Sequence, residues 1–225
     1  MTKAILFDAD GVVLKKYKEY FVSQYFAREY KAPSDEINAF FAKDFRTCQR
    51  GKLDLKEELA KYLSRWNWPN GVDAFLEYWF TTDATIDAEV MNEVEKIRGN
   101  GFKCYLASDQ EKYRAEYIVK LLNYKNYETD PPSPRLRDGS PLFESSPQVA
   151  RDRAEENKFD RFFFSYELGY MKSEPEYFAG ILKITGLQPE EFIYFDDDQK
   201  NIDVANSLGI NAHFYTSIDD LKKSY

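Results

Sequence analysis

The chain of 225 residues is 43% hydrophobic and 31% charged, proportions of a globular protein with room for one core domain and a modest appendage. Its formal net charge of −8 argues against nucleic acid or an anionic membrane as the main partner.

In chain order, residues 4–7 (AILF) form an unbroken apolar run that reads as a short buried strand, with Gly11 marking the turn behind it. Asp8 and Asp10 stand at its tip. Carboxylates are costly to bury without partners. Two of them there are either ordinary turn residues or serve a divalent cation, or a reaction needing a nucleophile and a nearby proton donor. Residues 15–82 are helical in pattern. Ile37, Phe40, Phe41 and Phe45 make an apolar stripe broken only by Asp44; Val72, Phe75, Leu76, Trp79 and Phe80 make another; Leu55, Leu59 and Leu63 repeat every four. Because this segment leaves the chain just after Asp10, it should emerge at the edge where the aspartates lie and fold over a cleft there. Most of its aromatics are expected to build a bundle core, with a few facing the cleft.

A helix is predicted over 87–98, ended by Gly99-Asn100-Gly101, then a strand over 102–108 that finishes in Ser108, then a helix over about 111–122. The stretch 123–158 carries Pro131, Pro132, Pro134, Pro141 and Pro147 with many charges, which predicts an irregular polar insertion with at most a short helix near 148–156. It follows a helix returning from the aspartate edge, so it should emerge at the opposite edge of the sheet. A strand over 162–165 precedes Lys172 and a helix opened by Pro175. The strand 192–196 runs into Asp196, Asp197 and Asp198, with Asn201 on the helix 199–208 that follows. An acidic helix start explains one or two of these acids but not all three, whereas a bound cation relieves the repulsion of the whole group. A strand over 212–216 and a short helix from about 218 end the series.

Alternating strands and helices imply a parallel sheet, in which ligands bind outside the carboxyl ends of the strands. Asp8, Ser108, Asp196 and Asp197 all fall at such ends, and Lys172 lies on a loop at the same edge, so one cleft can collect them. Elsewhere the residues read as structural. Cys104 sits in a core strand and no C-x-x-C pair exists, so Cys48 and Cys104 suggest neither zinc nor a disulfide. The single histidine, His213, lies in an alternating strand pattern. No stretch reaches the roughly 18 apolar residues of a membrane span, and no apolar leader opens the chain, so a cytoplasmic location is expected.

Asp8-Ala9-Asp10, Ser108, Lys172, and Asp196-Asp197 with Asn201 resemble, in order, the four motifs of the haloacid-dehalogenase-like superfamily of Mg²⁺-dependent phosphohydrolases. The likeness is to the subgroup with a small helical cap between the first two motifs. It implies an α/β fold: a Rossmann-like parallel sheet with helices on both faces, formed by residues 1–14 and 83–225, plus an all-helical cap over 15–82. By the same resemblance Asp8 is the nucleophile that becomes an aspartyl-phosphate, and Asp10 the general acid and base. Ser108 and Lys172 hold the phosphate. Mg²⁺ is held by Asp8, Asp197 and the main-chain carbonyl of Asp10, with Asp196 ligating through water or supporting the ligands from behind. Asn201 either orients Lys172 and the acids or caps its helix. The implied activity is hydrolysis of a small phosphate monoester. A phosphomutase or phosphotransferase with the same nucleophile, and a catalytically idle binding protein on this fold, are the alternatives. Asp10 argues against carbon–halogen cleavage, whose enzymes lack an acid at that position. Two departures stand beside the motifs: Asp109 where the family often has Asn, and Ser173 where many members have Pro.

Overall fold

A computed structural model describes residues 1–15, 22–123 and 158–225. Five strands form one sheet: β1 (Ala4–Phe7), β4 (Lys103–Ser108), β5 (Arg161–Phe164), β6 (Phe192–Asp196) and β7 (Asn211–Phe214). Their order is β5-β4-β1-β6-β7 and every neighbouring pair is parallel. The central strand β1 shows no polar alternation because both of its faces are covered. Ile5 and Phe7 enter one core with Cys104, Leu106, Ile193 and Phe195; Ala4 and Leu6 enter the other with Ala107, Phe192 and Tyr194.

Each core is closed by helices. On the first face lie α6 (Ala88–Gly99) and α7 (Lys112–Leu122), which contribute Val90, Met91, Val94, Ile97, Ala115, Ile118 and Leu121. Past the short α8 (Ser165–Leu168), α9 (Pro175–Thr185) and α10 (Gln199–Ser207) lie on the second, through Tyr177, Phe178, Ile181, Ile202 and Ala205. Their starts follow capping chemistry. The Asp87 side chain accepts from the Glu89 and Val90 amides, that of Glu111 from Tyr113 and Arg114, and Pro175 opens α9 where a missing N–H costs nothing. Phe7 and Phe195 stack at 6.2 Å across the sheet centre and are fully buried. Truncating either to alanine should cost about 3–5 kcal/mol. The fold is therefore the expected parallel α/β sandwich.

The chain leaves and re-enters this core along a two-stranded antiparallel ribbon, β2 (Leu14–Lys15) against β3 (Thr85–Ile86). Between them lie α1 (Val22–Tyr30), α2 (Ser34–Ala42), α3 (Asp44–Gln49), α4 (Leu55–Ala60) and α5 (Val72–Asp83). Phe26, Phe40, Trp66, Phe75 and Trp79 centre a separate hydrophobic cluster, against which Tyr113 and Tyr117 of α7 pack. The stripe through residues 37–45, expected to be broken only by Asp44, is shared between two helices. Lys43, at φ −121 and ψ −72, ends α2, and Asp44 starts α3.

Residues 124–157, the core of the proline-rich insertion, lie outside the described residues, as do 16–21. The flanks are described and sit at the amino edge of the sheet. Asp160 accepts from the Cys104 amide near the start of β4 (3.0 Å) and pairs with Lys103 (2.8 Å), while Lys158 pairs with Glu95 on α6. His213 is on the edge strand β7 with its ring stacked on Phe195 at 5.6 Å. Both cysteines are buried and unpaired, and burial pushes each thiol up to about 12.

Candidate active site

The order of the strands puts a topological switch beside β1, where crossovers diverge and the carboxyl edge opens into a crevice. Asp8 continues the β1 ladder there by donating its amide to the Phe195 carbonyl at 2.9 Å, and the chain then turns sharply, Leu14 N reaching Ala9 O at 2.7 Å. The turn needs glycine. Gly11 has φ +95, and a β-carbon on it would lie 2.2 Å from Oδ2 of Asp197, inside any permitted contact. The first loop thus closes directly onto the acidic loop after β6.

Lys172 is the hub of the cleft. Its side chain is 4% exposed, and its Nζ lies 2.6 Å from Asp8 Oδ1 and 2.8 Å from Asp196 Oδ2. Asp196 is fully buried and heavily bonded: Asn201 Nδ2 donates to Oδ2 at 3.1 Å, the Asp198 amide to Oδ1 at 2.7 Å, and the Tyr194 hydroxyl to Oδ2. Asp198, not Asn201, supplies the cap of α10, accepting from the Lys200 amide at 2.9 Å. Asp8, Asp196 and Asp197 each offer a carboxylate oxygen, all within 4.8 Å of one another, the one such group among the described residues. Three hard oxygen donors on a partly buried floor fit a small divalent cation that keeps part of its water shell, the habit of Mg²⁺.

The electrostatics follow from burial among charges. Burial pushes the Asp8 carboxyl well above the ordinary carboxylate value; the Lys172 ammonium opposes that, and the negative charge of Asp196 adds to it. Burial alone would depress the Lys172 ammonium, but Asp8, Asp196 and Asp109 outweigh it and hold the lysine well above its usual value. Lys172 is therefore a fixed positive charge across the neutral range. A divalent cation beside Asp8 would favour its ionised form. Asp109 is itself raised by burial and lowered by Lys172. Its Oδ1 accepts from the Lys172 amide at 2.8 Å, fixing the backbone that carries the lysine.

Ser108 ends β4 and is buried, with its Oγ 3.0 Å from Gln110 Nε2. The same Nε2 is 2.6 Å from Asp10 Oδ2, and Arg114 Nη2 is 2.5 Å from Asp10 Oδ1. The structure thus brings Asp8, Asp10, Ser108, Lys172, Asp196, Asp197 and Asn201 to one edge, and adds Gln110, Arg114 and Tyr194, which the sequence reading did not single out. Arg114 had a visible signal: it shares a helix face with Ile118 and Leu121, an unusual place for a charge. Tyr194 had a weaker one, standing two residues before Asp196 and so on the same face of β6.

The helical segment lies over this edge. Gln49 Nε2 donates to the Asp109 carbonyl at 2.6 Å, Arg50 pairs with Glu174 at 3.0 Å, and Tyr113 donates to Asp54 at 2.6 Å. The backbone at Gly51 (φ +67) comes so near Tyr166 that a β-carbon would stand 2.3 Å from its carbonyl oxygen. A cavity of about 240 Å³ opens at this seam between Cys48, Asp54, Glu111, Tyr113 and Tyr166, and its lining does not include Asp8, Asp10, Asp196 or Asp197.

A family profile described as haloacid dehalogenase-like hydrolase matches residues 2–209. Among curated proteins the chain is 32% identical over 73 residues to a D-ribitol-5-phosphate phosphatase of Bacteroides thetaiotaomicron, a stretch that is 32% of this chain and 33% of that relative. This match spans about a third of the relative's length. Among solved structures, a HAD family enzyme of Bacteroides thetaiotaomicron superposes with a TM-score of 0.75 at 18% identity, covering 99% of this chain and 97% of that one. The complex of that enzyme with magnesium and inorganic phosphate gives 0.72 at 19% identity, over 98% and 99%. A HAD-like family hydrolase of Porphyromonas gingivalis gives 0.70 at 20% identity, over 99% and 97%. At these identities the structural likeness speaks for the fold.

Proposed function

We propose, from the premise that this chain belongs to the haloacid dehalogenase-like hydrolase family, that it is a Mg²⁺-dependent phosphatase of a small phosphate monoester, working through an aspartyl-phosphate on Asp8. The observation that carries the reading is Lys172 Nζ held between Asp8 (2.6 Å) and Asp196 (2.8 Å) beside the Asp197 carboxylate. A carboxylate attacking a phosphate dianion meets strong repulsion, and such a floor is suited to offset it.

Mg²⁺ held by Asp8, Asp197 and Asp196, with the Asp10 carbonyl, would neutralise negative charge on the nucleophile and the phosphoryl group. The remaining steps belong to side chains. A carboxylate oxygen of Asp8 attacks phosphorus and the ester P–O bond breaks. Asp10, in its acid form, gives its proton to the departing alkoxide. A water then attacks phosphorus while Asp10 takes back a proton, the acyl phosphate is cleaved, and Asp8 is restored with release of inorganic phosphate. Lys172 carries a fixed charge against Asp8 throughout, and Ser108 binds a phosphate oxygen. Asn201 and Tyr194 hold Asp196 so that it faces Lys172. The helices α1–α5 act as a cap that limits water and selects the alcohol.

The named activity of the ribitol-phosphate relative supports a polyol or sugar phosphate as the substrate class. The test is phosphate release from a panel of alkyl monoesters (polyol, sugar and glycerol phosphates, and phosphoglycolate), with Mg²⁺ and with chelator. Metal-dependent release supports hydrolysis. Phosphate transfer to an added sugar phosphate in place of release would identify a phosphotransferase, and neither would identify a binding protein on this fold.

A further inference from the structure

The Asp10 carboxylate is gripped at both oxygens from below. Its side chain is 45% exposed toward the cleft, while that of Arg114 beneath it is 7% exposed. Arg114 Nη2 holds Oδ1 at 2.5 Å, and Gln110 Nε2 holds Oδ2 at 2.6 Å. Gln110 has a second acceptor in reach, Ser108 Oγ at 3.0 Å. Arg114 has a second acid in its field: Asp83, the last residue of α5, where the helical segment returns to the core. Asp83 is itself fixed by the Tyr25 hydroxyl at 3.1 Å and the Trp79 indole at 2.8 Å. The buried guanidinium is thus anchored between the cleft and the root of the helical segment.

A carboxylate accepts two such donors, but a carboxylic acid has one oxygen that must itself donate. Once Asp10 carries a proton, the protonated oxygen is the weaker acceptor, so one of its two holders is loosened. The amide of Gln110 can turn to Ser108. Arg114, set by α7 and by Asp83, cannot move without unburying a charge.

Resting on the phosphatase reading above, we propose that Arg114 is a positioning residue for proton transfer by Asp10. It holds Oδ1 as the accepting oxygen and leaves Oδ2 to deliver the proton to the leaving alkoxide. Gln110 is the holder that lets go. Asp83 keeps Arg114 in register with the position of the helical segment.

The test separates positioning from mere stability by the leaving group. The variants are Arg114→Met and Arg114→Lys, the second retaining a buried cation should the first fail to fold. The quantity is kcat/KM, which reports steps only through departure of the leaving group, measured on the best alkyl monoester of the panel and on dinitrophenyl phosphate, whose leaving group needs no proton. Arg114→Met should lose ~100-fold or more on the alkyl ester, in the range of general-acid contributions, and less than about 3-fold on the activated ester. Arg114→Lys should fall between wild type and Arg114→Met on the alkyl ester alone. Equal losses on both esters, or no loss on either, overturn the assignment while leaving the phosphatase reading in place. A wild-type protein that releases phosphate from neither ester overturns both.

Discussion

Replacing Lys172 by methionine keeps the reach of the side chain and deletes its charge. The lysine is 4% exposed and contacts two carboxylates, Asp8 at 2.6 Å and Asp196 at 2.8 Å, which are themselves 6% and 0% exposed. Stripping a buried charge of its partner costs about 3–5 kcal/mol. For a chain of this size that is a fall in thermal midpoint of roughly 6–20 °C. The deficit should depend on pH. Without the ammonium, the Asp8 carboxyl, already raised by burial, holds its proton more tightly still in the folded state, so the variant loses stability relative to wild type as pH rises above the ordinary carboxylate value. The loss is then smallest in mildly acidic buffer and full at about pH 8. Mg²⁺ should recover part of it, since a cation bound only by the folded state stabilises that state by mass action. Calorimetric melting of both proteins, in chelator and in excess Mg²⁺ at the two pH values, measures all three effects. A deficit below about 1 kcal/mol, typical of an exposed ion pair, that is indifferent to pH and to Mg²⁺ would refute the buried-cluster account.

Further outcomes follow from the same geometry. Gly11→Ala places a β-carbon 2.2 Å from Asp197 Oδ2 on a backbone at φ +95, so the carboxylate must move. The Mg²⁺ concentration for half-maximal phosphate release should rise about 10-fold or more, as for loss of a metal-supporting contact, and an unchanged requirement would remove Asp197 from the metal set. Burial raises the Glu111 carboxyl from its ordinary 4.5 to about 7, against the amides it caps. The folded state therefore keeps a proton that the unfolded state releases, and stability falls as pH rises from about 4.5 to about 7 by up to ~3 kcal/mol. Glu111→Gln should remove that slope, its advantage over wild type growing across the window. A pH-independent difference in urea midpoints would contradict this.

Much of the architecture is legible in the sequence, for physical reasons that differ by element. The strands β1 and β6 announce themselves because strands buried on both faces read as unbroken apolar runs, and their acids stand out because charge there demands a partner. The break at Lys43 carries no such mark. Neither glycine nor proline is present, and the stripe of Phe40, Phe41 and Phe45 continues across it because α2 and α3 feed one aromatic cluster. The site divides in the same way. Asp8 and Lys172 lie on loops and Asp196 at the end of β6, in an order along the sheet dictated by topology. Arg114 meets Asp10, and Gln49 meets Asp109, only through the packing of α7 and α3, about which local sequence is silent. Asn201 was readable as either a cap or a holder of the acids. The choice is made by Asp198, which takes the cap and leaves the Asn201 amide to Asp196.

The central claim is a phosphoryl group carried on Asp8. The direct measurement is rapid acid quench of the protein turning over its best monoester in Mg²⁺, followed by peptide mass analysis of wild type and a folded Asp8→Asn variant. The account predicts one added phosphoryl group on the peptide containing Asp8 in the wild type, and neither that adduct nor phosphate release in the variant. Full phosphate release by folded Asp8→Asn would contradict it.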